Sequence, residues 1–150
     1  MWQHTSAKRA KKKSAKSISN RKTRKSSKPA LPAIGILRNR ADKLYQQVFK
    51  LKYPKSILSG QPTEVIHHMI KKSESSRLRY DGDNAIPLTT AEHCALHCHE
   101  TIYSGRIIQI KGLPWFQTLL SRKVELVKTD RQFYLDAIKK LEDILYGQVN

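Results

Sequence analysis

The sequence predicts an α+β domain: a short two-stranded hairpin flanked by packed helices, preceded by a basic, disordered N-terminal tail. Three observations predict it. The runs Glu64 to Ile70 (EVIHHMI) and Ala85 to Leu88 (AIPL) are apolar or β-branched and bounded by turn residues, the mark of strands. Apolar residues recur at helical spacing near 44–51, 115–120 and 134–145. Residues 1–34 contain no acid at all. The chain therefore divides into a tail over 1–34 and a domain over 35–150. Within that domain the hairpin and its following helix span about 60–103, and helical support spans 113–147.

The tail carries Lys8, Arg9, Lys16, Lys28 and a denser set, Lys11, Lys12, Lys13, Arg21, Lys22, Arg24 and Lys25. Rich in Ser and Ala and nearly devoid of large apolar groups, it cannot bury enough surface to offset the entropy of ordering. With a formal net charge of +17 on 150 residues, nucleic acid is the first partner to consider. Each phosphate neutralised by the seven residues of the dense set would release counterions and add sequence-independent affinity. The bland alternative is a solubilising or targeting tail. Pro29 to Pro32 reads as a stiff spacer into the domain.

Composition narrows the class. No apolar stretch approaches the roughly 18 residues of a membrane span, and no apolar segment backs the first charges, so neither a membrane protein nor a secreted one is expected. The expected compartment is the cytoplasm. Two cysteines, Cys94 and Cys98, exclude a disulfide scaffold and a four-cysteine zinc knuckle; they read as small buried apolar groups.

Along the domain, Asn39 or Asp42 caps a helix carrying Leu44, Tyr45, Val48, Phe49 and Leu51, ending before Pro54. Ser59 to Pro62 is a turn, and Lys71 to Asp83 a polar loop between the strands. Pro87 donates no hydrogen bond, so it needs an edge position or the outward-facing side of a two-stranded hairpin. Thr89 and Glu92 form a capping box for a helix through His93, Leu96, His97 and Glu100, ended by Ser104-Gly105. Arg106 to Ile110 reads as a short strand. Pro114 opens a helix that turns Trp115, Phe116, Leu119 and Leu120 inward. Thr129 and Gln132 cap a last helix carrying Tyr134, Ile138, Leu141 and Leu145, stopped by Gly147.

The chemistry concentrates in the histidines. His93 and His97 are four apart on a helix, so both imidazoles leave one face and can hold one ion. A hairpin followed by a helix lays that helix across the hairpin and adds His67 as a third nitrogen ligand. Three protein ligands with an open position is the pattern of a catalytic metal. Adjacent strand residues face opposite ways, so His67 and His68 cannot both ligate; one can bind metal while the other stays free as a candidate general base. For both to serve one phosphate, the strand must end or bend near His68.

The run Val65-Ile66-His67-His68, then Asp83 to Thr90, then His93-Cys94-Ala95-Leu96-His97, resembles the HNH endonuclease motif. This is the ββα-metal (His-Me finger) unit of phage nucleases and nuclease colicins. The resemblance implies metal ligation by His67, His93 and His97, with His68 as general base. It implies that Asn84 pins the hairpin loop and orients that base. Arg77 and Arg79, in a segment similar to phage HNH proteins, become candidates for phosphate contacts, Arg79 also for stabilising transition-state charge. It further implies one divalent ion (Zn, Ni, Mn or Mg), duplex DNA as substrate, and the host cytoplasm if phage-encoded. This chain lacks the CxxC pairs that many HNH proteins carry, and His99 and Glu100 match no family position. A non-catalytic nucleic-acid-binding protein with structural zinc on the same histidines is the alternative, and His68 separates the two.

Overall fold

The computed structural model describes residues 31–147. The tail, with the proposed contacts Lys11, Lys12, Lys13, Arg21, Lys22, Arg24 and Lys25, lies outside the described residues, as do Pro29 and Ala30 of the spacer. The compact unit begins at Pro32, so the boundary at 34/35 falls within the first turn of its first helix.

Five helices and one two-stranded antiparallel sheet make up the described residues: α1 (Ile34–Lys52), β1 (Val65–His68), β2 (Ala85–Leu88), α2 (Thr90–Cys98), α3 (Glu100–Lys111), α4 (Leu113–Lys123) and α5 (Arg131–Gly147). The α+β class is as expected. No described helix is long and apolar enough to cross a membrane.

The hairpin lies between two helical layers, which explains why β2 is apolar throughout rather than alternating. All four of its residues are buried. Ile66 and Ala85 pack into a core with Tyr45, Val48 and Phe49 of α1 and Tyr134, Ile138 and Leu141 of α5. Ile86 and Leu88 pack on the other side, against Leu96 of α2 and Ile107 of α3. Leu119 of α4 joins Ile70 and Leu78 in a third cluster.

The register pairs Ile66 with Pro87 and His68 with Ala85. At the Ile66–Pro87 pair the main-chain groups point away from the partner strand. The Pro87 carbonyl accepts from Ile57 N–H at 3.0 Å, so the missing proline N–H costs no ladder bond. Ile66, opposite, is met by Gln46 of α1. The Gln46 amide donates to the Ile66 carbonyl at 2.7 Å and accepts from its N–H at 2.9 Å, standing in for a third strand.

The loop between the strands is packed rather than merely polar. Leu78 is fully buried and Tyr80 and Ser75 nearly so. A 3₁₀ turn, Gly82–Asn84, closes it, with the Asp81 side chain accepting from Asp83 N–H at 2.9 Å. Gly82 lets the turn pass close to the Phe49 ring, from which an added Cβ would stand only 3.0 Å. Arg122 of α4 braces the turn through Asp81 at 2.8 Å and Asp83 at 2.9 Å.

Several boundaries differ from expectation. The first helix starts at Ile34, with Ala33 rather than Asn39 or Asp42 at its cap. The helix after β2 breaks at His99, and Ser104-Gly105 does not end it. Arg106 to Ile110 is helix, not strand: Tyr103, Ile107 and Lys111, each four residues apart, face the interior, of which the sequence offers only an ambiguous apolar run. Gly112, at φ 92°, is the stop, a backbone conformation that suits glycine. At the last helix, Asp130 rather than Thr129 caps, its carboxylate accepting from Phe133 N–H at 3.1 Å. Leu51 and Leu120 point outward. Cys94 and Cys98 are exposed, because α2 turns only Leu96 fully inward.

Candidate functional site

Helix α2 is fixed by the expected capping box. The Thr89 hydroxyl accepts from Glu92 N–H at 3.2 Å, and the Glu92 carboxylate accepts from Thr89 N–H at 2.8 Å. The same carboxylate receives the Ser56 hydroxyl at 2.5 Å, tying the start of α2 to the segment before β1. This sets the helix across the hairpin with His93 and His97 facing His67.

The three imidazoles converge. One nitrogen from each of His67, His93 and His97 lies within 4.8 Å of the other two, close enough to hold one metal ion. The His93 and His97 Nε2 atoms are 3.2 Å apart. The ring of His67 stands edge-on to both, at centroid separations of 5.3 and 5.8 Å. Burial, then the neighbouring His93 and His97, push the His67 pKa down to about 4. Burial, then His97, lowers that of His93. Neutral imidazole is the form that ligates, and three such nitrogens with no carboxylate among them suit a borderline transition metal better than Mg. The donor set thus fits the ion that the histidine pattern implies.

His68 points to the other face of the hairpin, as the pleat requires. Its ring stacks on Tyr45 of α1 (4.6 Å between centroids, 17° between planes). Its Nε2 lies 2.9 Å from the main-chain carbonyl of Arg79. A carbonyl only accepts, so Nε2 carries the proton and Nδ1 the lone pair. Burial holds the ring pKa down at about 4, against the opposing pull of that hydrogen bond. The strand ends at His68, and both adjacent histidines line one cleft of about 490 Å³. Gln46, Lys71, Lys72, Ser73, His93 and His97 line it too.

Asn84 is fully buried and makes three hydrogen bonds to the loop. Its Oδ1 accepts from Ile70 N–H at 2.7 Å, and its Nδ2 donates to the carbonyls of Ile70 and Leu78, each at 3.0 Å. Leu78 precedes Arg79, whose carbonyl holds His68. Asn84 therefore pins the backbone that orients the candidate base.

The two arginines sit elsewhere. Arg79 Nη2 and Nε pair with the Asp42 carboxylate at 2.6 and 3.1 Å, and Nε also reaches the Tyr80 hydroxyl. With its side chain 16% exposed, this guanidinium is committed, and Arg79 reaches the site through its carbonyl. Arg77 pairs with Glu125 at 2.9 Å. Neither lines the cleft. The structure thus brings neither guanidinium into the histidine cleft: Arg79 is held by Asp42, and Arg77 lies in an exposed pair with Glu125.

Sequence reasoning missed Gln46, Tyr45 and the cleft lysines. Gln46 and Gln47 look alike in sequence, and only the placement of α1 beside β1 distinguishes them. Lys71 and Lys72 carried a usable signal, two cations directly after the histidine strand.

Comparison with known proteins adds no relative: no family model, curated protein or solved structure matches the chain.

Proposed function

We propose that this chain is an HNH-type endonuclease that hydrolyses DNA phosphodiester bonds with one divalent metal ion. The observation that carries the proposal is the division of labour between neighbours. His67 joins His93 and His97 in a three-nitrogen group, while His68, held by Tyr45 and the Arg79 carbonyl, opens on the same cleft. A structural zinc site has no use for a fourth imidazole fixed in a single tautomer.

His67, His93 and His97 would hold the ion, which supplies Lewis-acid stabilisation of charge on the scissile phosphate and leaving oxygen. His68 accepts the proton of the attacking water at Nδ1. Its depressed pKa keeps the ring neutral at neutral pH, and a phosphodiester anion in the cleft draws that value upward, toward a more effective base. Asn84, the Asp42–Arg79 pair and Tyr45 are positioning residues for this base. Duplex DNA, a contribution to affinity from the basic tail and a cytoplasmic setting belong to the same proposal.

The test is nicking of supercoiled plasmid by wild type and His68→Ala, with and without chelator, beside calorimetric metal titration of both. Cleavage by wild type should need the ion. The variant should bind metal normally and cut about a hundredfold or more slowly. A His68→Ala protein that binds metal and cuts at the wild-type rate removes the mechanism; metal binding without cleavage by wild type over Zn, Ni, Mn and Mg favours the structural-zinc alternative.

A further inference from the structure

We propose that Lys71 is the phosphate contact of the histidine cleft, and that Glu100 holds its ammonium group until a substrate phosphate displaces the carboxylate. This rests on the reading above in placing a phosphodiester in the cleft.

Apart from the histidines, the charged residues lining the cleft are Lys71 and Lys72; among the described residues no carboxylate lines it. Neither arginine that a sequence reading offers for phosphate lines the cleft; Arg79 is taken by Asp42, and Arg77 pairs with Glu125 away from it. Lys72 stands 3.8 Å from Asp42, the acid already taken by Arg79. Lys71 is different: it reaches 2.9 Å to Glu100, the first residue of α3 beyond the break at His99.

That pair is built to exchange. Its side chains are 48% and 58% exposed, and ion pairs so open to water contribute little and are screened by salt. Glu100 sits at a helix N-terminus, where the dipole favours an anion whether or not a lysine is present. Its pKa is lowered, first by the hydrogen bond and charge of Lys71 and more weakly by the charges of His67 and His97, against a small opposing effect of burial. A phosphodiester entering between the histidines and Lys71 offers the ammonium group an oxygen anion of the same kind. Glu100 then acts as a stand-in for substrate, keeping Lys71 extended over the cleft and discouraging weaker anions.

The test is a double-mutant cycle in DNA binding. Full-length wild type, Lys71→Ala, Glu100→Gln and the double variant are titrated into a short fluorescent duplex in chelator, over a range of salt. The tail is common to all four proteins and cancels from the ratios. Lys71→Ala should weaken binding about threefold and lower the salt slope by about one, while Glu100→Gln tightens it about threefold. In the Lys71→Ala background Glu100→Gln should have little effect. Glu125→Gln, which releases Arg77, serves as control and should leave binding near wild type. The proposal is overturned if Lys71→Ala binds like wild type, if Glu100→Gln tightens equally in both backgrounds, or if Glu125→Gln matches it. Since no cleavage occurs in chelator, the outcomes separate. An intact cycle without metal-dependent nicking removes the nuclease reading alone, and normal nicking with a flat cycle removes the role of Lys71 alone.

Discussion

Replacing Asn84 by aspartate keeps the shape of the side chain and removes its two donors. In the native protein those donors go to the Ile70 and Leu78 carbonyls at 3.0 Å, in a site with no solvent exposure. The Asn84→Asp variant therefore loses two buried hydrogen bonds and sets a carboxylate oxygen against two carbonyl oxygens. A buried group left unsatisfied costs about 1–3 kcal/mol, so the change should destabilise the fold by about 4 kcal/mol at pH 7. That is a large share of the total for a domain of this size. The sign with pH is fixed by the same contacts. Facing two carbonyls, the new carboxyl is held above its unfolded value of about 3.9, because only the protonated form can donate to them. The folded variant thus takes up a proton more readily than the unfolded chain, and the deficit against wild type shrinks as pH falls from 7 toward 4. Urea unfolding followed by far-UV circular dichroism, on both proteins at each pH, measures this difference directly. A deficit below about 1 kcal/mol at pH 7, or one that does not change with pH, refutes the claim that Asn84 pins the loop through its donors.

Two further outcomes follow from the same geometry. In metal-free wild type, His68 has a pKa of about 4 folded against 6.5 unfolded, with Lys72, Asp42 and Arg79 facing it. The unfolded chain takes a proton that the folded one refuses, so this contribution, about 3 kcal/mol, is complete above pH 6.5 and lost as the pH falls toward 4. His67 shifts the same way and His93 is lowered too, so His68→Gln should remove about a third to a half of the histidine contribution to the profile in chelator, and an unchanged profile contradicts the burial argument. Gln46→Leu removes both hydrogen bonds to Ile66 and should cost about 2 kcal/mol in urea unfolding. Because Ile66 adjoins His67, it should also weaken nickel binding in calorimetry, and full affinity would show that β1 holds its register without the clamp.

Local signals in the sequence reached far into this site because the chemistry uses local spacing. The pair His93 and His97 is one helical turn apart, the Thr89–Glu92 box fixes where that turn begins, and the short connection from β2 leaves α2 little choice but to cross the hairpin. What stayed hidden depends on pairings distant in sequence. Arg79 looks available until Asp42, on another element, takes its guanidinium. Gln46 looks like any solvated helix residue until β1 arrives with an unpaired edge. The break at His99 is equally invisible, since no proline or glycine marks it; yet it makes Glu100 the first residue of a new helix.

The hairpin also explains how two adjacent histidines can differ in role without interfering. The pleat sends His67 toward α2 and His68 toward α1, so the two sites are supported by different layers of core. The metal group leans on the packing of Ile86, Leu88, Leu96 and Ile107. His68 leans on Tyr45, itself packed among the residues of α1 and α5, and on a loop pinned by Asn84. Loosening one layer should therefore act on the three-imidazole group and loosening the other on the orientation of His68. Only the end of β1, where both side chains meet one cleft, joins the two.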